Sequence, residues 1–234
     1  MKFNYEMINK DTDIIEEIEI PAIAPWALPS PTTILELTTL KKSSTSPLEY
    51  QGKFNQIRSR YPSHKFLYTD GSKDGTLTGF AVTSSKTNYC NERIPDNSSI
   101  YTAELMALLT AVRMARDSDT NKFVICSDSK SALQAINNKQ VGTQLVQDIL
   151  LALARMAEEK EIIFCWIPSH VDIKGNETAD FHAKRSLLQN VTDYTVPYTD
   201  FRKIINDFIK YGWQIRWNAF PQNKLYKILP HVTD

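Results

Sequence analysis

The stretch Lys65-Phe-Leu-Tyr-Thr-Asp-Gly-Ser72 decides how the rest of the chain is read. Phe66, Leu67 and Tyr68 form an apolar, aromatic run suited to a central strand. Asp70 follows at once, so the strand is expected to end in a carboxylate. Gly71 and Ser72 predict a sharp turn and a close approach of backbone to ligand. A carboxylate at the tip of a core strand is rigid and costly to bury alone. Something cationic is expected to meet it.

Downstream of this stretch the apolar pattern is dense. Asp74-Gly75 signals a turn into a second strand, Leu77–Ser84, in which Gly79 permits close backbone approach. Thr87–Arg93 predicts a third strand, completing an antiparallel meander. Ile100–Arg116 is a helix, with Leu105, Leu108, Leu109 and Val112 at helical spacing. Lys122–Cys126 is a strand that stops at Ser127-Asp128-Ser129. Lys130–Asn137 reads as a short helix. A longer helix carries Leu145, Val146, Ile149, Leu150 and Leu153, with Thr143 as its N-cap. Glu161–Ile167 is a further strand, 168–174 a loop, and Asn176–Leu188 a last helix. The order β-β-β-α-β-α-α-β-α predicts a mixed sheet, three antiparallel strands then two parallel ones, with helices on both faces.

Upstream, residues 1–63 hold six of the eleven prolines and read as extended pieces without a core of their own. Asp11–Ile20 fits an edge strand or a short helix, Thr32–Leu40 a possible strand, and Lys41–Pro47 a linker. Residues 191–234 form a helical tail, with Phe201, Ile204, Ile205 and Phe208 in a stripe and Trp213 and Trp217 beyond it.

Lys plus Arg and Asp plus Glu number 27 each, so a nucleic-acid partner would have to be met by local basic patches. Cys90, Cys126 and Cys165 are too widely spaced for a zinc site, and their odd count argues against a disulfide framework. Cys126 and Cys165 read as small core residues. The pattern points to an intracellular, reducing compartment and does not separate nucleus from cytoplasm. The first ten residues lack an apolar signal core, and no run is long enough to span a membrane.

Three further acids resemble Asp70. Glu104 shares a helix face with Leu108 and Ala111, which should pack on the sheet. Asp128 ends the fourth strand as Asp70 ends the first, and parallel pairing would set them side by side. Asp180 lies early in the last helix. Singly, each has an ordinary explanation as a turn former, a helix-dipole partner or a cap. Together on one mixed sheet they would repel, and without a cation some would protonate. Two Mg²⁺ ions match their charge, with Mn²⁺ as the substitute, because hard divalent ions take oxygen ligands. Paired ions roughly 4 Å apart serve in-line displacement at phosphorus.

Tyr68-Thr-Asp-Gly-Ser72, Tyr101-Thr-Ala-Glu-Leu105, Cys126-Ser-Asp-Ser129, Trp166-Ile-Pro-Ser-His170 and Gly175-Asn-Glu-Thr-Ala-Asp180 together resemble type 1 ribonuclease H over roughly residues 64–190. The resemblance is greatest to the ribonuclease H domain of non-LTR retrotransposon reverse transcriptases. The leader resembles the segment joining polymerase to that domain. The tail, with Trp213, Trp217, Asn223-Lys-Leu225 and Leu229-Pro230, resembles the segment that follows it.

The resemblance implies an α/β ribonuclease H-like fold with a five-stranded mixed sheet. It implies a connection segment at 1–63, the ribonuclease H domain at 64–190 and a helical tail at 191–234. Asp70, Glu104, Asp128 and Asp180 match the family's metal-binding carboxylates, and His170 its histidine for proton movement and product release. The implied substrate is an RNA–DNA hybrid, cut in its RNA strand, and the implied partner a linked polymerase domain. Ser72, Thr102 and Ser129 are candidates to read the 2′-hydroxyl that distinguishes RNA, or are simply turn and cap residues. The extra basic helix that some stand-alone members of the family carry is absent, because only Asn137–Gly142 joins the two middle helices. Phosphate grip would then fall to the polymerase or the basic tail. A non-catalytic binding module of the same fold is the alternative. An exonuclease or transposase is disfavoured by Ser72 and Asp180, which replace the acids expected there.

Overall fold

The computed structural model describes residues 15–16, 23–140 and 142–232. In chain order its elements begin with β1 (Ile15–Glu16), β2 (Thr32–Ile34), α1 (Pro47–Arg60), β3 (Lys65–Asp74), β4 (Leu77–Thr83), β5 (Asn88–Ile94) and α2 (Ile100–Arg116). They continue with β6 (Lys122–Ser127), α3 (Lys130–Asn137), α4 (Gln144–Met156), β7 (Glu161–Trp166), α5 (Lys174–Ser186), β8 (Val196–Pro197), α6 (Arg202–Asn218) and α7 (Lys224–Ile228). They fall in two compact units, residues 17–194 and residues 1–16 with 195–234.

The larger unit is built on a sheet of strand order β2-β7-β6-β3-β4-β5. β3, β4 and β5 are antiparallel, while β6, β7 and β2 run parallel to β3. This is the mixed sheet expected from the sequence with one correction: it has six strands, not five, because Thr32–Ile34 pairs along β7 from Ile163 to Cys165. Only three residues of the Thr32–Leu40 stretch are strand, and Glu36–Thr39 turns into a 3₁₀ helix. Of the Asp11–Ile20 stretch only Ile15–Glu16 is described, as a short strand; the rest lies outside the described residues.

Both faces of the central strands are apolar, because both are covered. Phe123, Ile125 and Phe164 face one cluster with α2, α3 and α4. The alternate residues Val124, Cys126, Ile163 and Cys165 face a second cluster on the other side. Such two-sided burial is what parallel strands need.

The second cluster brings a further correction to the reading of the leader. Residues 47–60 are not extended: they form α1, and Tyr50, Phe54 and Ile57 are buried in the core. Ser46 caps the helix by accepting from the Glu49 N–H at 3.3 Å, with Pro47 in the first turn. Only three apolar positions, four and three residues apart, face the sheet, so the amphipathic stripe is narrow. The Ser-Pro-x-Glu start is the local signal for it.

Two expectations about local structure also change. β3 does not end at Asp70; it runs on to Asp74, paired with β4 down to Leu77. Gly71 is therefore not a turn residue but a contact point: a Cβ there would lie 3.0 Å from the Ala103 Cβ and 3.1 Å from the Glu104 nitrogen. Thr143 holds the N-cap position of α4 without a side-chain cap bond.

In the smaller unit β1 and β8 pair in parallel. Val196 and Phe201 are buried there with Ile15, Ile204 and Ile205 around them. α7 returns to α6 through the Trp217 Nε1–H, which donates to the Leu229 carbonyl at 2.8 Å. No helix among the described residues is long and apolar enough to cross a membrane.

Candidate active site

Register places the first two acids. β3 and β6 pair in parallel from Lys65↔Phe123 to Thr69↔Ser127. The next residues on the two strands are Asp70 and Asp128, so the carboxylates emerge together where the parallel pairing stops. The third comes from the first turns of α2, which Gly71 allows to lie directly on β3. Carboxylate oxygens of Asp70, Glu104 and Asp128 lie within 4.8 Å of one another. Asp70 and Glu104 are 6% and 8% exposed, which leaves little water to screen their repulsion.

Asp180 belongs to a neighbouring group. Its carboxylate lies within 4.8 Å of ligand atoms of His170 and Glu177, themselves mutually as close. The two groups share a field, because Asp180 raises the pKa of both Asp70 and Asp128. Lys184, one turn along α5, holds Asp180 through an ion pair at 2.7 Å.

The first group is electrically strained. Burial, then the charges of Asp128 and Asp180, push Asp70 up to about 8, against the opposing pull of Lys184 and the Gly71 N–H. Burial and the charges of Asp70 and Asp128 lift Glu104 well above the ordinary carboxylate range. Asp128 is raised by burial, and Asn176 and His170 oppose this. The Oε2 of Glu104 is buried and has no hydrogen-bond partner. A buried carboxylate oxygen without a donor is costly, and a cation would satisfy it. Three oxygen donors without nitrogen or sulfur suit a hard divalent ion.

Residues without an assigned role in the sequence reading hold the acids in place. The Asn176 side chain donates from Nδ2 to Asp128 Oδ2 at 3.4 Å, and the Trp166 Nε1–H donates to the Asp128 carbonyl at 3.0 Å. Asn176, Asp180 and Lys184 lie four apart on one stripe of α5, and Glu177 lies beside them. That spacing, read outward from Asp180, is the signal that finds them.

The hydroxyl candidates lie around this centre in local contacts. Ser72 is buried on β3, two residues beyond Asp70 on the same face. Thr102 is buried, its N–H donating to Ser99 Oγ at 3.0 Å and its hydroxyl 3.0 Å from the same atom. The half-exposed Ser129 has its hydroxyl 3.4 Å from that of Ser131.

Two aspartates set side by side by parallel strands and joined by a helix glutamate make an acidic centre on a mixed sheet of an α/β domain. The chain belongs to the RNase H family, whose sequence profile matches residues 62–187. That family acts on RNA–DNA hybrids. Human ribonuclease H1 is 26% identical over 110 residues, 42% of this chain, and the chain spans 38% of that relative's length. Two solved structures are also similar, each at 17% identity, with a TM-score of 0.41 and coverage of 97% of the solved chain. One is the N-terminal RNase H domain of a Mycobacterium tuberculosis protein, solved as a fusion with maltose-binding protein, and covers 52% of this chain. The other is RNase H1 from the halophilic archaeon Halobacterium salinarum, and covers 53%.

Proposed function

We propose that this chain is a metal-dependent endonuclease that hydrolyses the RNA strand of RNA–DNA hybrids, leaving 5′-phosphate and 3′-hydroxyl ends. The observation that carries the reading is the Asp70–Glu104–Asp128 cluster, its first two members buried, with its unpartnered Glu104 oxygen. The catalytic domain is taken as residues 64–190, with 1–63 as a connection segment and 191–234 as a helical tail.

Asp70, Glu104, Asp128 and Asp180 are assigned as the residues that hold two Mg²⁺ ions, with Mn²⁺ able to replace them. When bound, such a pair activates a water and stabilises the departing oxygen of a phosphodiester. The chain's own residues supply the rest. Asn176 and Trp166 fix the side chain and carbonyl of Asp128. Lys184 pairs with the Asp180 carboxylate one turn along α5, at 2.7 Å. The exposed His170 imidazole, beside Glu177 and Asp180, takes and returns protons at the edge of the site. Ser72, Thr102 and Ser129 are assigned to the edge that meets the RNA strand. A linked polymerase of a retrotransposon reverse transcriptase is the proposed partner, and would supply phosphate grip.

The test is cleavage of a labelled hybrid by the purified chain with and without Mg²⁺, beside the Asp70→Asn variant. Metal-dependent cutting by wild type alone supports the reading. An intact hybrid in every tube refutes it.

A further inference from the structure

The loop from β7 to α5 carries His170, and its backbone passes twice through the left-handed region. His170 and Asp172 lie there, at φ 56° and 58°. Such angles are uncommon for residues other than glycine, though Asp and His adopt them more readily than most. Two of them on either side of Val171 leave a tightly turned peptide whose orientation support from outside the loop can fix.

That support comes from the segment before residue 62, outside the family-matched region. The Gln51 side-chain amide, on α1, donates from Nε2 to the carbonyl of Val171 at 3.2 Å. Val171 stands between the two left-handed residues. Lys42 Nζ donates to Ser169 Oγ, immediately before His170, at 3.3 Å. Beneath them the side chains of Val171 and Ile173 are buried in the cluster that holds Tyr50, Phe54 and Ile57 of α1. Apolar burial anchors the side chains but leaves the intervening peptide plane free to turn. A donor on the Val171 carbonyl fixes that plane, and with it the direction in which His170 leaves the backbone.

We propose that α1 is a brace for the His170 loop and that Gln51 is a positioning residue, acting through Val171 to hold the imidazole against Glu177 and Asp180. The catalytic part of this inference rests on the role assigned to His170 above. The brace itself does not.

Two substitutions at Gln51, which is half-exposed on α1, separate the brace from ordinary packing. Gln51→Glu sets an acceptor against the Val171 carbonyl, whereas Gln51→Lys keeps a donor of similar reach. Hydrogen–deuterium exchange on the full chain reads the loop directly, with unfolding temperature as a control for global stability. The amides of residues 169–173 should exchange about tenfold faster in Gln51→Glu and at the wild-type rate in Gln51→Lys, the scale of one lost hydrogen bond. Hybrid cleavage should show kcat reduced several-fold in Gln51→Glu with KM unchanged. In a His170→Ala background the same substitution should have no further effect on kcat, as coupled positions require. Unchanged exchange in Gln51→Glu overturns the brace. An equal fall in kcat with and without His170 overturns the positioning role. If wild type does not cut hybrid, the proposed activity fails while the exchange measurement still decides the brace.

Discussion

Asp70→Asn should abolish hybrid cleavage and, without metal, make the protein more stable. The carboxyl of Asp70 is pushed from the ordinary aspartate range up to about 8, first by burial and then by Asp128 and Asp180. A pKa raised on folding means that the folded state holds a proton the unfolded chain gives up. Stability from this group is therefore fully present at about pH 4 and is lost as pH rises towards 8. The full linkage at pH 7 is about 4 kcal/mol, a ceiling that water entry and relaxation reduce to about 1–2 kcal/mol. An asparagine keeps the size and removes the titration, so that amount returns as roughly 3–6 °C in unfolding temperature. Thermal unfolding in EDTA at pH 5 and pH 8 is the assay. Wild type should lose stability between the two values, the variant should lose less, and the variant should be the more stable at pH 8. Added Mg²⁺ should stabilise wild type and not the variant. Parallel pH curves, or a variant less stable than wild type at pH 8 in EDTA, would refute the claim that burial and mutual repulsion of these carboxylates strain the site.

Glu104→Gln should lower kcat by about 10³-fold, the scale of several kcal/mol of lost transition-state charge stabilisation, in single-turnover hybrid cleavage. Gly175→Ala should destabilise by about 2–3 kcal/mol in urea unfolding, because its Cβ would lie 2.2 Å from the Tyr68 ring in the core. Phe54→Ala should cost about 3–4 kcal/mol if α1 is part of the core, since Phe54 is 3% exposed and packs edge-on against Phe66 and Tyr68. A loss below about 1 kcal/mol there, the level of an ordinary surface change, would return α1 to the status of a loose appendage.

The centre of the fold was legible because its strands obey simple rules. Parallel pairing of two apolar runs that each stop at an aspartate sets those aspartates side by side. α2 was equally legible, its apolar stripe being wide and regular. What was misjudged was short or sparse. β2 is three residues long and follows Pro29 and Pro31; a strand was expected somewhere in Thr32–Leu40, but so short a run has no period to fix its ends or its place in the sheet. α1 buries three side chains in fourteen residues, and its capping signature outweighs its apolar content. The misreading of Gly71 had a different cause. Glycine marks turns and tight contacts alike, and only the position of α2 tells them apart. The helpers around the acids, Asn176, Glu177 and Lys184, share one face of α5, yet polar residues near helix ends are usually read as solvated.

The meeting of Asp70 with Asp128 is a matter of counting. From Lys65↔Phe123 to Thr69↔Ser127 the two strands step together, residue for residue, and each acid is simply the next step. Exchanges of one apolar side chain for another along those rungs leave the count untouched. Insertion or deletion of a single residue in either strand shifts one aspartate by about 3.3 Å and turns it to the opposite side of the sheet. Drift in composition is thus tolerated where drift in length is not, and a library that varies these strands should hold their length fixed while leaving their apolar identities open.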